Sequence, residues 1–218
     1  MKDPILGIIG GGQLGSLLSV AAKRIGIKTV ILSDDKDAPA KNFTEKFIFG
    51  DYDNKSITQE FIDSVDLVTY EFENIPFSIL QSINNEKTVL PKPEINSLIQ
   101  NRLTEKNFLN DINIQTTQYI SIKHIDELRE NKNFLPGLLK TTTLGYDGKG
   151  QYKLNSAQDI SNEIDFSKEY ILEKFINLKK EISVIITRFG NQRYEIYEPI
   201  ENVHEDQILK HSKIPADV

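Results

Sequence analysis

The chain has 218 residues, 39% hydrophobic and 27% charged, with a formal net charge of −6, an ordinary balance for a globular protein of one large domain or two small ones. The acidic excess argues against a nucleic-acid-binding surface as the main role. The absence of cysteine excludes disulfide and thiolate chemistry. His124, His204 and His211 are the only imidazoles, and no two of them fall at the helical spacing of a protein-built zinc site. No apolar run approaches the ~18 residues of a membrane-crossing helix. The N-terminus lacks the cleavage pattern of a signal peptide, so the expected location is cytoplasmic, away from membranes.

Ile5-Leu6-Gly7-Ile8-Ile9 is a short apolar run, read as a buried parallel strand. Gly10-Gly11-Gly12-Gln13-Leu14-Gly15 fits the turn G-x-G-x-x-G. Leu17, Leu18, Val20, Ala21, Ala22 and Ile25 then give a helical stripe that stops at Gly26. Thr29 to Leu32 is the second strand, with Asp34 just past its end, as in dinucleotide-binding βαβ units. Three readings of this turn are open: a nicotinamide site with Asp34 on a ribose hydroxyl, a site for another phosphorylated ligand, or close helix–strand packing alone.

Strands are predicted at Lys46–Phe49 and Asp66–Tyr70, and helices at Ile57–Ser64 and Pro76–Ile83. The alternation makes the first half a Rossmann-like, doubly wound parallel sheet of α/β class. The fourth strand runs into Tyr70-Glu71-Phe72-Glu73-Asn74-Ile75-Pro76, acidic and amide groups at the carboxyl end of a strand, where open α/β sheets bind ligands. A solvated loop with Asn74 near the next helix cap is the plainer reading.

Pro91 and Pro93 close the first domain, giving predicted domains of 1–93 and 94–218. A short helix over Glu94–Gln100 precedes one over Arg102–Asn110 that Asn101 can cap, with Arg102 and Lys106 one turn apart. A solvated basic face is the ordinary explanation of that pair. Beyond it the rhythm changes to α+β. Strands are predicted at Thr116–Ile120, Gly137–Thr141, Gln151–Leu154 and Tyr170–Phe175, with a helix near Lys123–Asn131. Glu181–Arg188 and Arg193–Tyr197 read as one antiparallel hairpin across Gly190-Asn191. Between two of these strands, Lys140 is followed by Thr141 to Gln151, a turn rich in glycine and hydroxyls with a second lysine, Lys149. Glycine backbone and lysine charge together suit a polyphosphate, although the same residues also make a plain hairpin.

Six stretches in this order carry a resemblance to a known family: Gly11-Gly12-Gln13-Leu14-Gly15, Tyr70 to Pro76, Asn101 to Lys106, Lys140 with Gly145-Tyr146-Asp147-Gly148-Lys149-Gly150-Gln151, Glu173 with Glu181, and Asn202-Val203-His204-Glu205-Asp206-Gln207-Ile208-Leu209. The chain resembles the 5-(carboxyamino)imidazole ribonucleotide synthetases, ATP-grasp ligases of purine biosynthesis, over nearly its whole length. The resemblance implies a pre-ATP-grasp domain that takes no nicotinamide, followed by an incomplete ATP-grasp domain. It implies that Lys140 and Lys149 act at the phosphates, and that Arg102, Gly145, Tyr146, Asp147, Gly148, Gly150 and Gln151 join them around ATP. Glu173, Lys174, Phe175 and Ile176 would lie beside adenine, with Glu181 on the ribose and His204 in the nucleotide site. Gly12, Gln13, Leu14, Glu71 and Glu73 would face 5-aminoimidazole ribonucleotide, the acceptor for bicarbonate.

The resemblance further implies a magnesium ion on the phosphates and a homodimer at full length. Relatives continue past the equivalent of Val218 and carry their metal-binding carboxylates there, so no metal ligand is expected in this chain and a polypeptide ending at Val218 is expected to lack ligase activity. Ser16 stands where relatives usually have arginine, Thr142-Thr143-Leu144 where they often have arginines or glycine, and Gln207 where glycine is common. Another ATP-grasp carboxylase with a different acceptor, and a nicotinamide-dependent oxidoreductase built on Gly10 to Gly15, are the competing expectations.

Overall fold

The computed structural model describes residues 3–145, 150–190, 193–205 and 208–218. The chain divides into two compact units, Met1–Glu105 and Lys106–Val218.

The first unit runs β1 (Ile5–Ile9), α1 (Gln13–Arg24), β2 (Lys28–Ser33), β3 (Lys46–Phe49), α2 (Lys55–Asp63), β4 (Leu67–Tyr70), α3 (Phe77–Asn84) and α4 (Pro93–Ile99). Its four strands are parallel, in the order β3-β2-β1-β4. Side chains alternate across the sheet and feed two cores. Ile9, Val30, Leu32, Ile48 and Val68 pack with Phe61 and Ile62 of α2 and with Ile79, Leu80 and Ile83 of α3. Ile8 and Ile31 form a smaller cluster on the other face with Ala40, against which Leu18 of α1 packs. This is the doubly wound arrangement that strand–helix alternation predicts.

The apolar stripe read along α1 is only partly the face that the helix buries: Ala22 is buried and Leu18 packs inward, but the rest of the contact is made by small residues. Gly15, Ser16, Ser19 and Ala22 are buried, whereas Leu17 is 60% and Ile25 74% exposed. Small residues at a helix turn's spacing let α1 approach the sheet closely. A Cβ on Gly15 would stand 2.8 Å from the carbonyl oxygen of Gly10. Asn74 is likewise not a helix cap: Pro76 occupies the N-cap of α3, and Asn74 Nδ2 donates to Glu73 Oε1 at 3.2 Å.

The unit boundary falls inside α5 (Arg102–Asp111), whose first turn Asn101 caps as predicted. Asn101 Oδ1 accepts from the backbone N–H groups of Leu103 at 2.9 Å and Thr104 at 3.2 Å. The second unit continues with β5 (Tyr119–Ile122), α6 (Ile125–Glu130), β6 (Gly137–Thr141), β7 (Gln151–Leu154), β8 (Tyr170–Lys174), β9 (Glu181–Ser183), β10 (Ile186–Phe189), β11 (Arg193–Ile196), β12 (Ile200–Glu205) and β13 (Ile208–Lys213). An antiparallel sheet in the order β5-β8-β6-β7 buries Ile122, Leu139, Leu154, Tyr170 and Leu172 on one face against Leu128 of α6 and Ile164.

Two predictions fail in this half. The strand expected at Thr116–Ile120 lies at Tyr119–Ile122. The single strand expected over Glu181–Arg188 is two strands: β9 joins β12 and β13, and only β10 pairs with β11. Apolar side chains here, including Ile186, Tyr194, Ile196 and Ile208, are exposed, and none of the three core clusters draws on β9 to β13.

Candidate functional site

In the first unit, strand order reverses between β1 and β4, the switch point at which open parallel sheets form a crevice. The Gly-rich turn leaves the carboxyl end of β1, and Glu71 leaves that of β4. The structure brings them together: Gly12 N–H donates to Glu71 Oε1 at 2.9 Å, which sets a carboxylate at the start of α1. Gly10 has φ of 103°, and a Cβ there would stand 2.8 Å from the same oxygen. These glycines serve the approach of an internal carboxylate. Ser16 Oγ donates back to the Gly12 carbonyl at 3.1 Å.

Gln13 opens α1, and the adjacent Leu14 is exposed. Asp34 accepts from the Tyr52 hydroxyl at 3.3 Å. Burial, and secondarily the charge of Asp34, push the Tyr52 phenol well above its usual range and keep it a donor. The backbone beside Glu73 is held from α4 and the residue after it: Gln100 Nε2 donates to the carbonyls of Glu73 and Ile75, both at 2.6 Å, and buried Asn96 donates to Ile75 at 3.2 Å.

In the second unit, the face of the four-stranded sheet opposite its core mixes polar and apolar side chains, with buried Ile171 directly across from Lys140. Leu138 and Tyr119 each stand directly across from Glu173, and Gln151 stands across from Lys140. The two-residue period of a strand puts Lys140 on the face of Leu138, while Leu139 enters the core. Lys140 Nζ meets Glu173 Oε2 at 2.8 Å, and Lys106 Nζ, from α5, meets Oε1 at 3.3 Å. The Glu173 side chain is 9% exposed, Lys106 16% and Lys140 23%. One buried carboxylate thus carries an ammonium on each oxygen. Lys153 lies 4.7 Å from the centroid of the Phe175 ring. The Phe175 N–H donates to the Pro136 carbonyl, and the Lys174 N–H to that of Gln118.

The glycine-rich turn after Lys140 is described at both ends. Thr141 N–H donates to the carbonyl of Gly150, whose φ is 68°, and a Cβ there would meet Thr141 Oγ1 at 2.7 Å. Thr142 is buried with its N–H on the Glu169 carbonyl. Tyr146, Asp147, Gly148 and Lys149 lie outside the described residues, as does Gln207.

Further along, Glu181 stands opposite Asn202 in the β9–β12 pairing, and His204 Nδ1 lies 3.3 Å from Glu181 Oε2. Asn202 links Ser183 and Ser212 by hydrogen bonds of 3.0 and 2.8 Å. Ile176 is exposed just past β8. Arg102 opens α5. The residues that sequence reasoning passed over are Lys106, taken as a solvated basic face, and Asn202, whose partners come from neighbouring strands. Among the described residues no group of three or more His, Asp or Glu side chains is arranged to hold a metal ion.

A sheet whose buried carboxylate holds two lysines, beside a glycine-rich turn, is an arrangement suited to a polyphosphate. Comparison with known families agrees. Residues 107–218 match the ATP-grasp domain, and residues 1–100 match the ribonucleotide synthetase preATP-grasp domain. The chain belongs to the ATP-grasp family.

Among its relatives is the N5-carboxyaminoimidazole ribonucleotide synthase of Brucella melitensis, 37% identical over 98% of this chain and 60% of the relative. The solved structure of the N5-carboxyaminoimidazole synthetase from Staphylococcus aureus complexed with ADP superposes with a TM-score of 0.94 at 33% identity, over 100% of this chain and 60% of that one. The Aspergillus clavatus enzyme in complex with ADP and 5-aminoimidazole ribonucleotide gives 0.87 at 25% identity, over 99% of this chain and 58% of that one. The chain therefore spans about 60% of the length of these relatives.

Proposed function

We propose that this chain is the pre-ATP-grasp domain and the first part of the ATP-grasp domain of an ATP-dependent ligase. The ligase carboxylates 5-aminoimidazole ribonucleotide to its N5-carboxyamino form in purine biosynthesis. The observation that carries the reading is the Lys140–Glu173–Lys106 cluster on the second unit's sheet, whose Lys140 and Glu173 lie within the ATP-grasp match. Support comes from relatives named for that product and from the Aspergillus structure containing both ADP and the aminoimidazole ribonucleotide.

In this reading Lys140 and the turn from Gly145 to Gln151, with Lys149, neutralise the phosphates, and Arg102 adds a further cation. The segment Glu173 to Ile176 borders adenine, while Glu181 and His204 address the ribose side. A bicarbonate oxygen bonds to the γ-phosphorus as the bond to ADP breaks, giving carboxyphosphate. Its carbon–oxygen bond then breaks to release phosphate and carbon dioxide. The exocyclic amine attacks that carbon and loses a proton, leaving a carbamate. The protein's part is positioning, charge neutralisation and exclusion of water.

The crevice of Gly12, Gln13, Leu14, Glu71 and Glu73 is the place for the ribonucleotide. Because Glu71 already occupies the start of α1, the ribonucleotide's phosphate does not bind at that helix end. Magnesium accompanies the nucleotide phosphates. Among the described residues no cluster of His, Asp or Glu side chains stands ready to hold it. The intact protein is a cytoplasmic homodimer in this account.

The test is ADP release by the intact protein. It should require bicarbonate and 5-aminoimidazole ribonucleotide together, and it should fail when other amine acceptors replace the ribonucleotide. Turnover with a different acceptor would move the protein to another ATP-grasp ligase. Stabilisation by NADH with none by Mg-ATP would remove it from the class.

A further inference from the structure

The functional reading rests on the cluster but gives Lys106 no contact of its own with the nucleotide, yet it is among the least exposed lysines of the second unit. Its ammonium lies 3.3 Å from Glu173 Oε1, opposite the oxygen that Lys140 takes at 2.8 Å. It also stands 5.6 Å from the centroid of the Tyr119 ring. Tyr119 is fixed in turn: its hydroxyl donates to Asn107 Oδ1 at 2.8 Å and accepts from Asn110 Nδ2 at 2.9 Å. Both amides belong to α5, and Tyr119 is the direct cross-strand neighbour of Glu173. A single turn of helix is therefore bound to the sheet at the carboxylate that grips Lys140.

The charges decide what this does. A Lys140–Glu173 pair alone is formally neutral and would offer a polyphosphate little net attraction. With Lys106 on the second oxygen the buried cluster carries one net positive charge, and Glu173 is drawn toward α5 as well as toward Lys140. We propose, building on the ATP-grasp reading, that Lys106 is a positioning residue of the nucleotide site. It holds Glu173 by one oxygen, so that Lys140 is oriented by the other while its charge stays available to phosphate.

The test measures Mg-ATP binding to the intact protein by calorimetry at two salt concentrations. K106M should bind about tenfold more weakly, with a flatter salt dependence, because the cluster loses its net charge. K106R, which keeps charge and reach, should bind within about threefold of the unaltered protein. The decisive comparison is K106M made in a K140M background: if Lys106 acts through Glu173 on Lys140, its removal there should weaken binding by no more than about threefold further. If K106M does not fold, K106Q takes its place in both backgrounds, and the same loss with Lys140 present but not without it is the supporting result.

A further loss of about tenfold in the K140M background would make Lys106 a direct phosphate contact and overturn the positioning role. Unchanged binding in K106M would overturn it too. Failure of the unaltered protein to bind Mg-ATP would instead sink the functional reading on which the inference rests.

Discussion

Replacing Lys140 by alanine separates the two consequences of the buried cluster. Breaking a buried ion pair outright costs about 3–5 kcal/mol, because the surviving charge is left without a partner. Here Glu173 keeps Lys106 at 3.3 Å, so the expected loss of stability is smaller, about 1–3 kcal/mol. The ligand side is costlier. A unit charge about 4 Å from a phosphate oxygen is worth up to ~4 kcal/mol at an effective dielectric of 20, before the loss of its own hydration is subtracted. A net ~2 kcal/mol corresponds to about thirtyfold in Kd.

Thermal shift against Mg-ATP reads both effects in one experiment. At a ligand concentration of about 100 Kd the unaltered protein gains ~2.7 kcal/mol, and a variant with Kd raised thirtyfold gains only ~0.9 kcal/mol at the same concentration. The ligand-free transition should fall modestly, and the ligand-induced shift should shrink to about a third. A variant that loses stability yet keeps its full ligand-induced shift would refute the placement of ATP at this face.

Other perturbations follow from the same geometry. Gly10→Ala adds a Cβ 2.8 Å from Glu71 Oε1 at a φ of 103°, and should destabilise the first unit by about 1–3 kcal/mol in urea unfolding. Adding Glu71→Ala should relieve only the contact part of that loss. Leu139→Ala empties a fully buried position in the second unit's core and should cost about 2–5 kcal/mol, read by hydrogen exchange of β6 and β8. Glu45 accepts the Thr29 backbone N–H at 2.8 Å, and chiefly this bond lowers its carboxyl below the ordinary value of 4.5. Its stabilisation is complete above pH 4.5 and is lost as pH falls through the folded value, so Glu45→Gln should flatten the acid limb of the first unit's stability profile.

Local pattern carried much of this fold and less of its site. The βαβ start, the parallel character of the first sheet and the Asn101 cap all follow from local pattern, and each is visible there. α1 misled because apolar periodicity identifies a buried face only when large residues make the contact. Here Gly15, Ser16, Ser19 and Ala22 do so. Alternation over Glu181–Arg188 showed strands but could not name partners, since a period of two is the same whichever strand lies alongside; β9 and β10 go to different sheets. The same limit hid Lys106. Next to Arg102 it resembles a solvated helix face, and only folding brings Glu173 to it from far along the chain. Glu71 was identified as a candidate from its place after a strand, but its hydrogen bond to Gly12 depends on strand order.

The central claim is that bicarbonate is activated by phosphorylation at the ATP-grasp site before it reaches the amine. Oxygen-18-labelled bicarbonate, supplied with Mg-ATP and 5-aminoimidazole ribonucleotide to the intact protein, tests this directly. The account predicts one labelled oxygen in each phosphate released, because the carbon–oxygen bond of carboxyphosphate is the one that breaks. Phosphate whose new oxygen comes from water would contradict it.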